Sequence, residues 1–468
     1  MTVADLWAIT PLLILAAGAI VVLLCGAVLS GRYAGPVAMT VLAGAALWAL
    51  RTPPPGATTL GVSLSPFARF FTVLFALTAV AALLLSGDYN ARREIRGEEY
   101  PATVLFAAFG MAALVAAQNL LVLFLALEAL TFAFYILVAM DLGRAASAEA
   151  GLKYLLQGAV AAAFIAFGIA LIYADSGTLQ IAAAMKGAVA GGAANPLHLA
   201  GWGFLLVGLA FKVSLVPAHL WTPDVYEGAP TPVVAFLATG SKGAGIAALL
   251  LLVAAMAGSS VLRLPLWWLA LLSMVVGNLA ALLQANVKRL LAYSAIAQMG
   301  YVTLALLTFS REGYRGVVFY VVAYTLMNLA AFGAVAVLSK GGVMERVEEY
   351  RGAGYARPFP AAVLTLALFA LAGVPPTVGF LGKFYVFFAA IRGGEAPLAV
   401  LGILTAAVSV YYYLRVVVNL YLRPAEGDLP ADRVTWPEGA TLAVCAFLIL
   451  ALGVWPAPLL DLIDAIIP

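Results

Sequence analysis

Four ionisable side chains interrupt long apolar runs of this sequence and could carry protons. Glu128 lies in NLLVLFLALEALTFAFYIL, Lys212 in LLVGLAFKVSLVP, Lys242 in VVAFLATGSKGAGIAALLL and Lys383 in PPTVGFLGKFYVFFAA. A charge at the centre of a bilayer costs about 2.5–3.5 kcal/mol on insertion scales, so such residues normally pair or line a wet cavity. Lysine suits proton transfer because, unlike arginine, it can lose its proton when buried. The four residues therefore predict a path for protons or another small cation.

The alternative for an intramembrane lysine is that it reaches the lipid headgroups from a helix end. Glu128 stands near the middle of its apolar run and Lys242 lies well inside its own, so neither reaches the surface easily. Lys212 and Lys383 each stand close to prolines within an apolar run, which favours a site over a surface position.

Three further polar residues are second candidates as relays. Lys153 and Glu149 stand at the start of an apolar run, where a place at the membrane surface is the simpler interpretation. His219 follows Pro217 and could relay protons or bond to freed backbone groups, with a structural histidine as an equal alternative. His198 is predicted to lie in a loop.

Apolar segments fill most of the chain. Its 468 residues are 65% hydrophobic and 10% charged, against about 45–50% and about 25% in soluble domains. At about 20 residues per span, we predict an all-α polytopic membrane protein of about fourteen transmembrane helices, with residues 1–468 as a single membrane domain. The predicted segments lie near residues 6–29, 34–50, 67–87, 101–117, 119–140, 149–173, 200–226, 231–257, 263–284, 288–307, 314–339, 358–392, 396–422 and 435–457. The first is too long for the core of a signal peptide and is expected to be a retained span.

The basic residues predict the orientation of these spans. One set of alternate loops holds Arg32, Arg92, Arg93, Arg96, Arg144, Lys288, Arg289, Lys340, Arg346, Arg351, Arg357, Arg423 and Arg433. The other set holds Arg51, Arg69, Lys186, Arg263, Arg311, Arg315 and Arg392. Cytoplasmic loops carry the excess of Lys and Arg, so the richer set is predicted to be cytoplasmic and both termini to face outward.

Two segments are longer than one span requires and contain prolines, 200–226 around Pro217 and 358–392 around Pro375 and Pro376. Proline removes a backbone donor and clashes with the preceding turn, which predicts breaks in the seventh and twelfth helices. A packing kink is the simpler alternative, but the nearby lysines favour ion sites, which broken helices often mark in transporters built from inverted repeats. The spacing of the breaks predicts two inverted five-helix repeats, made of spans 4–8 and 9–13.

The repeats define a predicted organisation of the chain. It consists of a three-helix N-terminal extension at 1–95, a first repeat at 98–258, a second repeat at 263–422 and a C-terminal helix at 435–468.

Several function classes are excluded by what the sequence lacks. Cys25 and Cys445 lie in apolar segments without metal or iron–sulfur spacing. Two histidines cannot ligate a pair of haems, and no Gly-x-Gly-x-x-Gly or Walker sequence is present. The net charge of +3 is too balanced for nucleic-acid binding. We therefore expect no metal, nucleotide or electron carrier bound to this chain.

Two stretches carry a resemblance to a known family. FKVSLVPAHLWTPDVYEGAPTPVVAFLATGSK at 211–242, with VKRLLAYSAIAQMGY at 287–301, resembles the antiporter-like membrane subunits of respiratory complex I. The PDVYEGAPTPV wording is most similar to the N-type subunits, since M- and L-type subunits usually have a Pro-Asp-Ala stretch there. The likeness covers essentially the whole chain, including PPTVGFLGKF at the second break.

The resemblance implies roles for the buried residues. Glu128 matches the fifth-helix glutamate of the family, and Lys212 matches the lysine of the broken seventh helix that pairs with it. Lys242 matches the central lysine of the eighth helix, and Lys383 the lysine of the twelfth helix near the exit. Gln298 departs from relatives that carry histidine on the tenth span, so a water chain would have to replace a titratable relay there.

The resemblance implies a proton-translocating subunit of an NADH:quinone oxidoreductase in a bacterial inner membrane. The chain would belong to an enzyme of the translocase class without holding its redox centre. Partner subunits would bind NADH, FMN, iron–sulfur clusters and quinone, and they would include an M-type neighbour and small K-, J- and A-type subunits. Movement of Glu128 towards or away from Lys212 would then drive a proton past Lys242 to Lys383.

Two other classes remain open at this point. A subunit of a cation/proton antiporter, or of a related membrane hydrogenase or plastoquinone- or F420-linked complex, would share the lysines and the breaks. A structural anchor without transport would tolerate an apolar residue at Lys242, because a cation is costly in lipid.

Overall fold

The structure, a computed structural model, describes residues 3–28, 31–51, 60–95, 97–190, 195–256, 262–339, 344–425 and 434–467. Arg96, Lys340 and Arg433, which entered the loop-charge argument, lie outside these ranges.

The described residues form α-helices joined by short connections, and no β-sheet occurs among them. This confirms the predicted all-α polytopic class. The helices are α1 (Val3–Val28), α2 (Ala34–Arg51), α3 (Pro66–Arg92), α4 (Glu99–Ala116), α5 (Leu120–Val138), α6 (Ala145–Ser176), α7 (Ile181–Ala190), α8 (Pro196–Val213), α9 (Trp221–Gly228), α10 (Thr231–Phe236), α11 (Lys242–Ala255), α12 (Arg263–Leu282), α13 (Val287–Leu306), α14 (Arg311–Leu338), α15 (Ala353–Ala356), α16 (Pro358–Ala372), α17 (Val378–Arg392), α18 (Ala396–Leu422), α19 (Trp436–Val454) and α20 (Ala457–Ile466). Short 3-10 helices occupy Gly31–Tyr33 and Val347–Tyr350, and a π-helix occupies Leu237–Ser241.

Twelve helical segments within the described ranges are long and apolar enough to cross a membrane. Helix α13 and the broken pair α16 and α17 are not among them, being more polar or shorter. Counting α13 as one span and the pair α16 and α17 as another would give the predicted fourteen, and that number stays a prediction. Many leucines, isoleucines and phenylalanines face outward from the bundle, as Leu125, Phe132 and Phe388 do, and this suits a surface that contacts lipid.

Polar caps set the start of several spans. The Asn119 side chain accepts the backbone N–H of Leu121 and begins α5 at the tight turn after α4. The Asn286 side chain likewise accepts the N–H groups of Lys288 and Arg289 and begins α13. Such caps satisfy helix donors that have no partner within the helix.

Both predicted helix breaks fall at the prolines. Residues 214–220 separate α8 from α9, and residues 373–377 separate α16 from α17. The helix before each break ends at a residue in the left-handed conformation: Ser214, with φ 67°, follows α8, and Gly373, with φ 90°, follows α16. A cis peptide bond precedes Pro217 and Pro376.

Three predictions about local structure were wrong or incomplete. His198 lies in α8, not in a loop, because Asn195 caps the helix three residues earlier and Pro196 takes its first position. Helix α7 was not predicted. The C-terminal segment forms two helices, since α19 ends before Pro456 and α20 begins after it.

Close helix contacts depend on glycine at a few places. A Cβ on Gly110 would lie 2.5 Å from the backbone nitrogen of Leu130 on α5. Gly110 therefore allows α4 to pack directly on the helix that carries Glu128, two residues before Leu130.

We expect Gly110→Ala to destabilise the protein by about 1–3 kcal/mol, because the added methyl group must push against backbone atoms. Thermal unfolding of the purified protein in detergent measures this. Gly87→Ala is the matched control, since nothing lies within 4 Å of that position in α3. Equal stability of the two variants would contradict the packing argument.

Candidate functional site

Lys212 is buried in the last turn of α8, with 1% of its surface exposed. Its ammonium donates a hydrogen bond to Thr131 Oγ1 at 2.9 Å. Thr131 lies three residues after Glu128 on α5, so the two side chains share one face of that helix. Within the described ranges no carboxylate comes within 4 Å of the Lys212 ammonium, and Glu128 is half-buried. The predicted pair of Glu128 and Lys212 therefore lies on neighbouring helices, and the direct partner of the Lys212 ammonium is the Thr131 hydroxyl.

Lys242 is the first residue of α11 and directly follows the π-helix Leu237–Ser241. Single π-turns inside helices occur frequently at functional sites. The Lys242 ammonium donates to Ser214 Oγ, in the break after α8. It also lies 5.5 Å from the ring centre of Trp221 and 5.6 Å from that of Tyr226. Two aromatic faces and one hydroxyl therefore stabilise this buried cation.

The break after α8 brings polar groups to Lys242. Thr222 Oγ1 donates to Ser214 Oγ at 2.6 Å, and both residues are fully buried. His219 lies in the same break, and its Nδ1 is buried without a hydrogen-bond partner. The Trp221 indole donates to the Phe211 carbonyl at 2.9 Å, which ties the two halves of the broken helix together.

Lys383 lies in α17 and reaches back across the second break. Its ammonium donates to the carbonyl oxygens of Leu371 and Ala372 at 2.8 and 3.0 Å. These carbonyls end α16, where the helix dipole favours a cation. The ring centre of Tyr301 lies 5.3 Å from the same ammonium.

Gln298 connects Lys383 to a group of buried hydroxyls. Its amide nitrogen donates to the Leu371 carbonyl at 3.1 Å, so it shares an acceptor with Lys383. The same nitrogen lies 3.3 Å from the Tyr413 hydroxyl, and the Gln298 oxygen accepts from the Tyr320 hydroxyl. Tyr413 also bonds to Ser294. The tenth-span position without a titratable residue is therefore part of a continuous polar network.

A second polar group lies beside the first. Asn278 on α12 donates to the Tyr301 hydroxyl at 2.9 Å and accepts from the Tyr412 hydroxyl at 3.0 Å. Because the Tyr301 ring faces Lys383, this group positions one wall of the lysine site.

Several buried hydroxyls lie beyond ordinary hydrogen-bond distance of any group in the described part of the chain. Those of Tyr226 and Tyr324 lie in the region between Lys242 and Gln298. The Tyr324 hydroxyl lies close to the Tyr226 hydroxyl on one side and to Tyr413 on the other. Buried polar groups normally find a protein or water partner, and a water can bridge groups too far apart for a direct bond. Nearer Glu128 and Lys242, the Tyr135 hydroxyl is placed similarly, and the hydroxyls of Tyr154 and Ser241 lie close to each other.

Charged residues form a second group on the solvent-accessible side of α9. Asp224 accepts from Lys153 at 2.9 Å and from Arg289 at 2.7 Å. Arg289 also bonds Glu227 at 2.8 Å, and Lys153 bonds Glu149 at 2.8 Å. Lys153 is 41% exposed, so this second-rank relay candidate lies at the mouth of a cavity of about 290 Å³ and not in the core.

Sequence reasoning selected the charged residues but missed their partners. Thr131, Ser214 and Thr222 were not identified, because buried hydroxyls are common in membrane helices and usually bond their own backbone. One signal was available for Ser214, which follows a lysine and precedes a proline within an apolar run.

The chain is similar to a known family of membrane proteins in both sequence and structure. Residues 117–409 match the family described as NADH:quinone oxidoreductase/Mrp antiporter, TM. NADH-quinone oxidoreductase subunit N of Geotalea uraniireducens (strain Rf4) is 65% identical, with 100% of both chains covered. A chain of respiratory complex I from Thermus thermophilus, solved with bound aureothin, is 37% identical with a TM-score of 0.83, covering 96% of this chain and 98% of that one. A chain of the Mrp complex from Dietzia sp. DQ12-45-1b has a TM-score of 0.87 over 99% of this chain and 96% of that chain, and at 21% identity it shows the fold alone.

We expect Asp224→Asn to destabilise the protein by about 0.5–1 kcal/mol, because partly exposed ion pairs contribute about that much. Thermal unfolding at low and high salt measures the effect, and the difference from the parent should shrink as salt screens the charges. Arg92→Gln, which removes a peripheral ion pair with Asp88, is the control. A salt-independent difference would contradict an electrostatic role for Asp224.

Proposed function

Since the chain belongs to the NADH:quinone oxidoreductase/Mrp antiporter transmembrane family, we propose that it acts as the N-type, proton-translocating subunit in the membrane arm of an NADH:quinone oxidoreductase. The observation that carries this function is the set of buried lysines, Lys212, Lys242 and Lys383. The ammonium of each donates a hydrogen bond to a polar group, in or beside an interrupted helix. The 65% identity to a subunit N over the full chain supports the assignment. In this proposal the chain translocates protons, and its partner subunits carry out the redox chemistry.

The assembly around the chain is part of the proposal. We infer that an M-type antiporter-like neighbour and small K-, J- and A-type subunits contact it within a bacterial inner membrane. NADH, FMN, iron–sulfur clusters and quinone would be bound by other subunits. Both termini face the outer side in this arrangement, as the basic loops predict.

The first half of the proposed path runs from Glu128 to Lys242. Lys212 bonds Thr131 on the same helix face as Glu128, so a small shift of α5 can exchange a neutral partner for a carboxylate. A carboxylate partner favours the charged form of a lysine, and its withdrawal favours proton release. The released proton passes towards Lys242, which occupies the next polar position.

The second half of the path runs from Lys242 to Lys383. Tyr226 flanks Lys242, and the neighbouring hydroxyls of Tyr226 and Tyr324, which lack a short hydrogen bond to other described groups, mark positions where water can bind. Water there would connect Lys242 with the network of Tyr413 and Gln298, which shares the Leu371 carbonyl with Lys383. The Gln298 amide orders the hydroxyls, and bound water supplies the transferable protons.

We also propose that the chain contains two repeats, at 98–258 and 263–422, between an extension at 1–95 and the C-terminal region 435–468. The two breaks support this, because a left-handed residue stands three positions before the proline in each, at Ser214 and Pro217 and at Gly373 and Pro376. Five spans per repeat place the repeats in opposite orientation.

Lys242→Met is expected to slow proton transfer through this subunit about 100-fold or more, since a positioned acid–base group contributes about that much. The measurement is protons pumped per NADH oxidised by the assembled complex in vesicles, and Lys212→Met should show the same direction of change. Methionine suits the site sterically, so assembly is expected to be normal.

Lys242→Arg separates titration from charge, because arginine keeps its proton. The arginine variant should pump as poorly as the methionine variant. Normal pumping with Lys242→Met would exclude this path and leave the chain as a scaffold.

Replacing both Tyr226 and Tyr324 with phenylalanine is expected to reduce pumping and to change stability by less than about 1 kcal/mol, because the two hydroxyls interact with each other and removing both leaves neither unsatisfied. Pumping per NADH and thermal unfolding are measured together. Tyr350→Phe is the control, since this buried hydroxyl donates to the Met344 carbonyl at 3.1 Å away from the path. The control should lose stability and keep pumping, and the reverse pattern would refute the route.

A further inference from the structure

We propose that Ser214 is a relay residue whose hydroxyl passes protons between Lys212 and Lys242. This inference rests on the proposed function and deepens it by assigning the atom between two of its lysines. It goes beyond the charged residues, because serine does not titrate and its contribution comes only from its hydrogen bonds and its place in the chain.

The backbone of Ser214 is the first observation. Its φ of 67° and ψ of 40° lie in the left-handed region, which few residues other than glycine adopt without cost. At the corresponding place in the second break the chain has Gly373, with φ 90° and ψ 40°. Glycine therefore serves the turn by itself. A serine held in this conformation at the other break indicates that its side chain is needed there.

The hydrogen bonds of Ser214 are the second observation. Its oxygen accepts from the Lys242 ammonium and, at 2.6 Å, from the Thr222 hydroxyl. A hydroxyl has two acceptor sites and one hydrogen to donate. With both acceptor sites occupied, the hydrogen of Ser214 is left to donate to a third group. The residue is fully buried, so bulk water cannot take that place.

The position of Lys212 supplies the third observation. Lys212 precedes Ser214 by two residues, and its stem packs against α11 at Gly245. A Cβ at Gly245 would lie 3.3 Å from Lys212 Cγ. Gly245 lies three residues after Lys242 on α11, so the Lys212 stem packs on the face of α11 that carries Lys242. Ser214 thus stands at the turn between two lysines on a common wall.

The proposed step conserves charge and atoms. Starting from a charged Lys212 and a neutral Lys242, Ser214 Oγ receives a proton from the Lys212 ammonium, directly or through one water. Its own hydroxyl proton passes to the Lys242 amine, with which it is in contact. Lys212 ends neutral, Lys242 ends as an ammonium, and the serine is again a neutral hydroxyl. Thr222 keeps the Ser214 oxygen oriented by donating to it throughout.

The decisive variant is Ser214→Gly, because it removes the hydroxyl while suiting the left-handed backbone. If the hydroxyl is a relay, the complex should still assemble and should show the pumping defect of Lys242→Met, with the relief of backbone strain offsetting part of the stability lost with the two hydrogen bonds. Combining Ser214→Gly with Lys242→Met should add nothing to the defect, since both block one step. Ser214→Ala should pump as poorly and be less stable, because it keeps the strain.

Thr325→Val is the matched control. Its hydroxyl is buried at a similar depth of an apolar span, yet it bonds only the Val321 carbonyl of its own helix, at 2.8 Å. This variant should pump normally.

Other outcomes overturn the proposal in distinguishable ways. Normal pumping by Ser214→Gly, with Lys242→Met defective, would refute the relay and leave the proposed function intact. Failure of Ser214→Gly to assemble would show that the serine is needed for folding, which also refutes it. A defect in Ser214→Gly with normal pumping by Lys242→Met would refute both, because the hydroxyl would then serve a route without Lys242.

Discussion

The structure depends on one constraint, which is that a cation buried in a membrane protein must find polar atoms inside the protein. Lys212 and Lys383 meet it at interrupted helices, where backbone carbonyls no longer bond within the helix. Lys212 lies in the last turn of α8, and Lys383 donates to the last two carbonyls of α16. The second break therefore creates the negative end that holds Lys383, whereas the Lys212 ammonium beside the first break is held by the Thr131 hydroxyl of α5, and the prolines prevent each helix from continuing through its break.

The same constraint explains the design around Lys242, which has no broken helix of its own. Its ammonium is held by the Ser214 hydroxyl and by the faces of Trp221 and Tyr226. All three partners come from the break after α8 or from α9. Helix α9 is short, and its residue Asp224 forms ion pairs with Lys153 on α6 and Arg289 on α13. The environment of the central lysine is thus connected mechanically to charged groups at the membrane face.

The sequence was sufficient for the charged residues and the breaks, because lysine, glutamate and proline are rare and costly in apolar spans. It was insufficient for their partners. Nothing in the order of residues distinguishes Thr131, which bonds Lys212, from Thr325, which bonds only its own helix. The π-turn before Lys242 and the left-handed Ser214 result from packing between distant segments. His198 was placed in a loop although Asn195 and Pro196 before it begin a helix, and its contact with Asp175 on α6, at 2.8 Å, is created only by the fold.

Glu128 is the least enclosed of the four charged residues, and this fits its proposed task. A carboxylate locked to Lys212 would hold the proton in place, because a close opposite charge stabilises the ammonium. In the structure Lys212 bonds a neutral hydroxyl one turn further along α5, and Glu128 remains half-buried. In the proposed cycle a small shift of α5 exchanges the two partners without unfolding a span. A group at the edge of the bundle can respond to a neighbouring subunit, whereas Lys242 and Lys383, enclosed by aromatic rings and carbonyls, cannot. On the proposed path, this difference in enclosure would let a change outside the chain act on Glu128 first and on the buried lysines through it.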